Sequence, residues 1–167
     1  ALINPADLSI EALRSLRTSL HFAMMEASNK VLMLSGPAPS MGKSFIATNM
    51  AAVIAQSGQR VLLIDADMRK GHIHKVLQCD EKPGLSEYLS GQCTLENIVQ
   101  SIEFEGLDCV TRGTIPPNPS ELLMHPRLKV LLDWAEDNYD CIIIDTPPIL
   151  AVTDAAIIGK HAGATFM

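Results

Sequence analysis

Lys43, Ser44, Asp65, Asp67 and Asp145 are the residues whose types and spacing can do chemistry in this 167-residue sequence. Residues 31–45 read as a short apolar strand, a glycine-containing loop, Gly42-Lys43-Ser44 and the start of a helix, the order that a phosphate-binding loop requires. Backbone N–H groups of such a loop and the positive end of the following helix surround a phosphate. The lysine reaches the terminal phosphates, and the serine hydroxyl ligates Mg²⁺. The candidate cradle for a nucleotide is therefore Ala38, Pro39, Ser40, Met41, Gly42, Lys43, Ser44 and Phe45. The strict pattern G-x-x-x-x-G-K-[ST] fails here, because Pro37 stands at its first glycine and Gly36 lies one position early. Pro37 and Pro39 also lack an N–H. Taken alone, the loop competes with an ordinary strand-to-helix turn carrying Gly-Lys-Ser by accident.

The carboxylates narrow that choice. Asp65 and Asp67 directly follow the apolar run Val61-Leu62-Leu63-Ile64, and Asp145 directly follows Cys141-Ile142-Ile143-Ile144. A single Asp after a strand is commonly a turn or cap residue. In a parallel sheet, however, the strand ends share the carboxyl edge at which ligands bind, so these residues and the phosphate loop converge where a hydrated Mg²⁺ needs them.

The elements that must position them follow from periodicity. Asn4-Pro5 can open a helix running to about Glu26, with Ile10, Leu13, Leu16 and Leu20 as its apolar stripe. Val31-Leu32-Met33-Leu34 is a strand, the loop spans residues 36–42, and a helix runs from about residue 43 to 56, stopping before Gly58. Short helices are expected at residues 85–89 and 95–99, divided by Gly91, and a strand at 107–111. Asn118-Pro119-Ser120-Glu121 should cap a helix, Pro126 should open another reaching about Asp137, and a last helix should begin near Val152. Strand-length apolar runs alternating with helical segments predict an α/β fold, a mostly parallel sheet with helices on both faces, in a single domain spanning residues 1–167, and the phosphate-loop motif makes the expected type a P-loop NTPase. The closing Ala164-Thr165-Phe166-Met167 resembles a strand under way, which suggests a fragment of a longer protein.

Composition excludes several classes. A chain of this length can bury roughly 68–70% of its unfolded surface and needs no staple. Lys and Arg number 13 against 19 Asp and Glu, and the net charge of −6 repels phosphate backbones, which argues against nucleic-acid binding. An apolar content of 47% with only 19% charged residues excludes disorder. The cysteines Cys79, Cys93, Cys109 and Cys141 form no CxxC pair, as expected in a reducing cytoplasm. No window approaches the roughly 18 unbroken apolar residues of a membrane span. His72 and His74 with Cys79 lack the spacing of a zinc site, and Trp134 reads as a packing anchor.

The 37–44 loop, Leu63-Ile64-Asp65-Ala66-Asp67-Met68-Arg69 and Ile142-Ile143-Ile144-Asp145 resemble the Walker A, Walker A′ and Walker B motifs of bacterial protein-tyrosine kinases. The likeness covers nearly the whole chain. It is most specific for the cytoplasmic domain of Wzc/Etk-type polysaccharide co-polymerases, through Arg112-Gly113, Pro116-Pro117-Asn118-Pro119-Ser120-Glu121-Leu122-Leu123 and Asp145-Thr146-Pro147-Pro148-Ile149-Leu150-Ala151-Val152. Members commonly lack the first glycine of Walker A, as here.

That resemblance implies ATP or ADP and Mg²⁺ as cofactors, Lys43, Asp65 and Asp67 as catalytic residues, and Ser44, Asp67 and Asp145 as metal holders, with Asp65 as the base. A tyrosine phenol has a pKa near 10 and is neutral at pH 7, so a carboxylate must take its proton during transfer, whereas an ATPase needs only a positioned water. Arg69 and Lys70 can pair with phosphate or lie solvated. Glu11, Arg14 and Arg17, spaced as E-x-x-R-x-x-R, would on folding grounds alone be a solvated face, since such a pair gives about 0.2–0.5 kcal/mol. The resemblance implies that they join subunits into a ring presenting tyrosine-rich tails to neighbouring sites. It also implies that Tyr88 is a regulatory tyrosine whose phosphate Arg127 receives, against the alternative of a half-buried tyrosine and an unrelated arginine.

The family's C-terminal tyrosine cluster is absent, since the only tyrosines are Tyr88 and Tyr139. The expected function is an ATP/Mg²⁺-dependent tyrosine autokinase domain regulating capsular or exopolysaccharide synthesis and export. The expected location is the cytoplasmic face of a bacterial inner membrane, beside membrane segments on the same or a partner chain. Two rivals are a partition or division-site ATPase switch and a nucleotide-sensing assembly module. The ATPase class normally has an extra lysine where Ala38 stands.

Overall fold

The computed structural model describes residues 30–34, 40–146, 158 and 160–166, with Thr18 and Met25 as single helical positions. Its strands are β1 (Val31–Leu34), β2 (Val61–Asp65), β3 (Gln100–Ser101), β4 (Leu107–Val110), β5 (Cys141–Asp145) and β6 (Ala164–Phe166). They form one sheet in the order β3-β4-β2-β5-β1-β6, parallel throughout except for the edge pair β3 and β4. The expected mostly parallel α/β sheet is the one observed. Every residue of β1, β2 and β5 is buried, which is why these runs read as continuously apolar rather than alternating.

Their side chains still alternate between two faces, because successive Cβ atoms of a strand point in opposite directions. Leu32, Leu63 and Ile143 join one core with Ala47, Met50, Ala51 and Ile54 of α1 (Ser40–Gln56). Leu62, Ile64, Ile142 and Ile144 join the other. There they meet Leu85 and Leu89 of α3 (Leu85–Leu89), Leu123 of α5 (Pro119–Leu123) and Leu128, Leu131, Leu132 and Ala135 of α6 (Arg127–Asn138). Spacings of three and four give α6 its single apolar stripe. The remaining helices are the short α2 (Ile73–Val76) and α4 (Leu95–Ile98). Ile143, fully buried at the sheet centre, should lose about 2–5 kcal/mol of unfolding free energy on replacement by Ala, measurable by urea denaturation.

The helix after the loop begins at Ser40 rather than near residue 43. Nothing from Ser40 onward forbids helix, since a single Gly42 costs only about 1 kcal/mol within one. The helix does stop where expected. Gly58 takes φ +96° and donates its N–H to the Ala55 carbonyl at 3.0 Å, the left-handed exit that glycine allows. Asn118 makes no side-chain cap bond and instead donates to Glu121 Oε2 at 3.3 Å. The two-residue β3 and the four-residue α2 were not expected, and the predicted 107–111 strand ends at Val110. The opening helix, with Glu11, Arg14 and Arg17, and the helix from Val152 lie outside the described residues apart from Thr18, Met25 and Ile158.

Candidate active site

β2 and β5 are neighbours in register, so Asp65 pairs with Asp145 at the last position of both strands. The turn after β2 brings Asp67 back to the same edge, and α1, following β1, brings Ser44. All four side chains are buried, at no more than 1% exposure. Ser44 Oγ donates to Asp145 Oδ2 at 2.8 Å. Asp65 accepts the Asp67 N–H on Oδ1 at 3.1 Å and the Ile73 N–H on Oδ2 at 3.3 Å. Asp67 Oδ1 accepts the N–H groups of Arg69 and Lys70 at 3.3 and 3.0 Å, while its Oδ2 is buried with no hydrogen-bond partner among the described residues.

Burial, followed by the charges of Asp145 and Asp67, holds the Asp65 carboxyl well above the ordinary carboxylate range, against the lowering by its two backbone donors. Buried carboxylates crowded in this way attract either a proton or a cation. An all-oxygen donor set with one orphaned carboxylate oxygen fits a hard divalent cation such as Mg²⁺. Thr146 fastens this edge by donating both its N–H and its Oγ1 to the Leu34 carbonyl, at 3.1 and 2.9 Å.

Of the residues expected in the nucleotide cradle, Ala38 and Pro39 lie outside the described residues. Ser40, Met41, Gly42 and Lys43 are described as helical backbone in the first turn of α1, and their side chains, the Lys43 amine among them, lie outside the description. Phe45 is half-buried in the same helix. Tyr88 and Arg127, distant in sequence, come together. The guanidinium carbon lies 4.2 Å from the centre of the Tyr88 ring, Nε donates to the Tyr88 carbonyl, and an Nη2 bond of 2.9 Å reaches the Cys93 carbonyl. Tyr88 is 3% exposed rather than half-buried, and burial raises its phenol pKa despite the arginine. Arg127 is thus already engaged with the unmodified tyrosine.

Two residues with no role read from sequence help to build the site. Arg112 is buried, and its guanidinium donates to the Gly71 carbonyl at 3.1 Å and the Gly113 carbonyl at 2.8 Å while pairing with Glu81 at 2.8 Å. Its backbone is held by α3, whose first N–H groups, from Leu85 and Ser86, donate to the carbonyls of Thr111 and Arg112 at 2.7 and 3.1 Å. Arg112 therefore ties down the turn at Gly71, and Gly71 lies so close to Asp65 that a Cβ there would overlap the carboxylate. Gly71→Ala should force the turn or the carboxylate aside and cost about 1–3 kcal/mol in urea unfolding. The sequence shows an Arg after an apolar strand but not the three segments that surround it.

Residues 29–160 match a family model described as an AAA domain. Over 167 residues the chain is 53% identical to tyrosine-protein kinase Etk of Escherichia coli strain K12 and 56% identical to tyrosine-protein kinase Wzc of Salmonella typhimurium. Each match covers 100% of this chain, which spans only 23% of the length of these relatives. The solved kinase domain of Escherichia coli tyrosine kinase ETK superposes with a TM-score of 0.94 at 53% identity, over 99% of this chain and 65% of that one. The VpsO kinase domain does so at 0.81 and 31%, over 95% and 79%. The septum site-determining protein MinD of Pyrococcus horikoshii, solved with Mg-ADP, has a TM-score of 0.65 at 20% identity over 81% of this chain and 56% of that one, a likeness of fold alone. With the mostly parallel α/β fold, the carboxylate edge and these matches together, the chain belongs to the bacterial tyrosine-protein kinase family of the Etk and Wzc type.

Proposed function

We propose that this domain transfers the γ-phosphoryl group of ATP to tyrosines of a neighbouring subunit, within a protein that controls capsular or exopolysaccharide synthesis and export. The observation that carries the reading is the registered, buried pair Asp65 and Asp145, with Ser44 bonded to Asp145 and Asp67 beside them. Lys43 grips the β- and γ-phosphates, with the backbone of residues 38–45 around them. Ser44, Asp67 and Asp145 hold Mg²⁺. When bound, the metal supplies neutralising charge at the phosphate oxygens. Asp65 accepts the tyrosine proton. The Gly71 turn, held by Arg112, keeps that carboxylate in one place.

Around this site Glu11, Arg14 and Arg17 join copies into a ring, and a tyrosine-rich tail of one copy enters the site of the next. Phosphorylation of Tyr88 adds about −1.5 to −2 charge beside Arg127, which already stacks on the ring and is the group that receives it. The domain works at the cytoplasmic face of the inner membrane, next to a membrane-embedded part of its own or a partner chain. Among the described residues no helix is long and apolar enough to cross a membrane.

The test is to incubate the chain with ATP, Mg²⁺ and a tyrosine-rich peptide and to measure phosphotyrosine and free phosphate, with Lys43→Met as control. Phosphotyrosine that Lys43→Met abolishes supports the proposal. Phosphate release alone would point to an ATPase switch, and neither product to a nucleotide sensor. For assembly, replacing Glu11, Arg14 and Arg17 together by Ala should leave a folded monomer, and an unchanged mass distribution by light scattering would contradict the ring.

A further inference from the structure

We propose that Cys79 and Cys109 form a dithiol that hydrogen peroxide oxidises to an intramolecular disulfide. Their sulfurs lie 3.6 Å apart, in S–H···S contact, although the residues are far apart in sequence. Cys109 is fully buried in β4, and Cys79 is half-buried in the segment after α2. The pair is therefore open to a small oxidant from one side only. Bond formation needs the sulfurs to close to about 2.05 Å. The Cys79 side can supply that movement. It lies outside the sheet, after Gln78 with φ +55°, where its N–H bonds the His74 carbonyl at 3.0 Å, whereas β4 is paired on both sides, with β2 and β3.

The two thiols are also differentiated. The hydrogen bond with Cys109 lowers the pKa of Cys79 against the effect of burial, while that same contact and burial raise the Cys109 thiol. Cys79, half-exposed where Cys109 is buried, is thus the sulfur that peroxide reaches, and it reacts through its thiolate form. It attacks one peroxide oxygen, the O–O bond breaks, and Cys79 becomes a sulfenic acid as hydroxide leaves and is protonated to water. The Cys109 sulfur then attacks the Cys79 sulfur, the S–S bond forms as the S–O bond breaks, and the hydroxyl departs with the Cys109 proton as a second water. Two electrons pass from the sulfurs to one peroxide, giving one disulfide and two waters. Cys93 and Cys141 serve as internal comparisons, since burial raises both thiols, Cys141 to about 12, and neither is described against another sulfur.

The dithiol does not rest on the kinase reading, and Cys79 closes the segment whose Ile73 N–H bonds Asp65. The reduced chain is treated with stoichiometric hydrogen peroxide at pH 7, blocked with an alkylating agent after denaturation, and mapped by mass spectrometry. The expected product is lighter by about 2 Da, has lost two alkylatable thiols, and yields a Cys79–Cys109 linked peptide, reversed by dithiothreitol. In Cys109→Ala the Cys79 sulfenic acid should persist and be trapped by dimedone, and in Cys79→Ser Cys109 should stay reduced. Four unmodified thiols, a bridge to Cys93 or Cys141, a bridge between chains, or sulfinic acid at Cys79 of the parent chain would each overturn the proposal.

Discussion

Replacing Asp65 by Asn should slow phosphotyrosine formation by roughly 10²- to 10⁴-fold, the range expected for losing a positioned general base. The affinity for Mg·ADP should stay within about threefold, because the proposed phosphate and metal contacts come from Lys43, Ser44, Asp67 and Asp145. The substitution preserves shape but not the hydrogen-bond pattern. Asn can accept the Asp67 N–H, yet its amide would face the Ile73 N–H as donor against donor. One lost acceptor costs about 1–3 kcal/mol. Opposing this is the relief of removing one of three buried carboxylates.

The balance depends on pH in a definite direction. The Asp65 pKa is higher in the folded chain than in the unfolded chain, so the folded state holds this proton more tightly. In the absence of metal, that contribution to stability is complete below the ordinary carboxylate pKa. It is lost as pH rises from there through the raised value. Asp65→Asn should flatten this part of the pH dependence, which urea midpoints with EDTA present would measure. An unchanged phosphotyrosine rate in Asp65→Asn would mean that another group takes the tyrosine proton.

Asp145→Asn should lower nucleotide affinity in Mg²⁺ on the order of 100-fold while changing metal-free binding little. Asp145 is fixed between two elements, receiving the Ser44 hydroxyl at 2.8 Å through its side chain and the Ala66 N–H at 2.8 Å through its carbonyl. Asn can keep the first contact by presenting its oxygen to Ser44, so the substitution removes charge more than geometry. Titration with ADP in Mg²⁺ and in EDTA separates the two contributions. Equal losses under both conditions would mean that Asp145 supports the fold rather than a cation.

Much of this arrangement was legible because the strongest local signals coincide with the site. Val61-Leu62-Leu63-Ile64 and Cys141-Ile142-Ile143-Ile144 could be read as buried strands, and an Asp at the end of each marks the carboxyl edge. The register that sets Asp65 opposite Asp145 was not readable, since it depends on pairing between distant segments. The same limit hid Arg112, whose partners Gly71, Glu81 and Gly113 meet only after folding, and the approach of Cys79 to Cys109. Short elements with little periodicity, such as Ile73–Val76 and Gln100–Ser101, also escape a local reading, because tertiary contacts rather than propensity decide them. Tyr88 and Arg127 were paired through family likeness, and the stacked cation over the ring was not foreseen.

The location of the metal and the terminal phosphates decides between these mechanisms and any other use of the fold. Mn²⁺ substituted for Mg²⁺ in the presence of ADP broadens nearby amide resonances, which reads that location directly. Broadening centred on the amides of Ser44, Asp65, Asp67 and Asp145, and absent from the Glu103 to Gly106 loop before β4, is the expected result. Broadening that spares those four amides, or that survives Asp145→Asn unchanged, would contradict it.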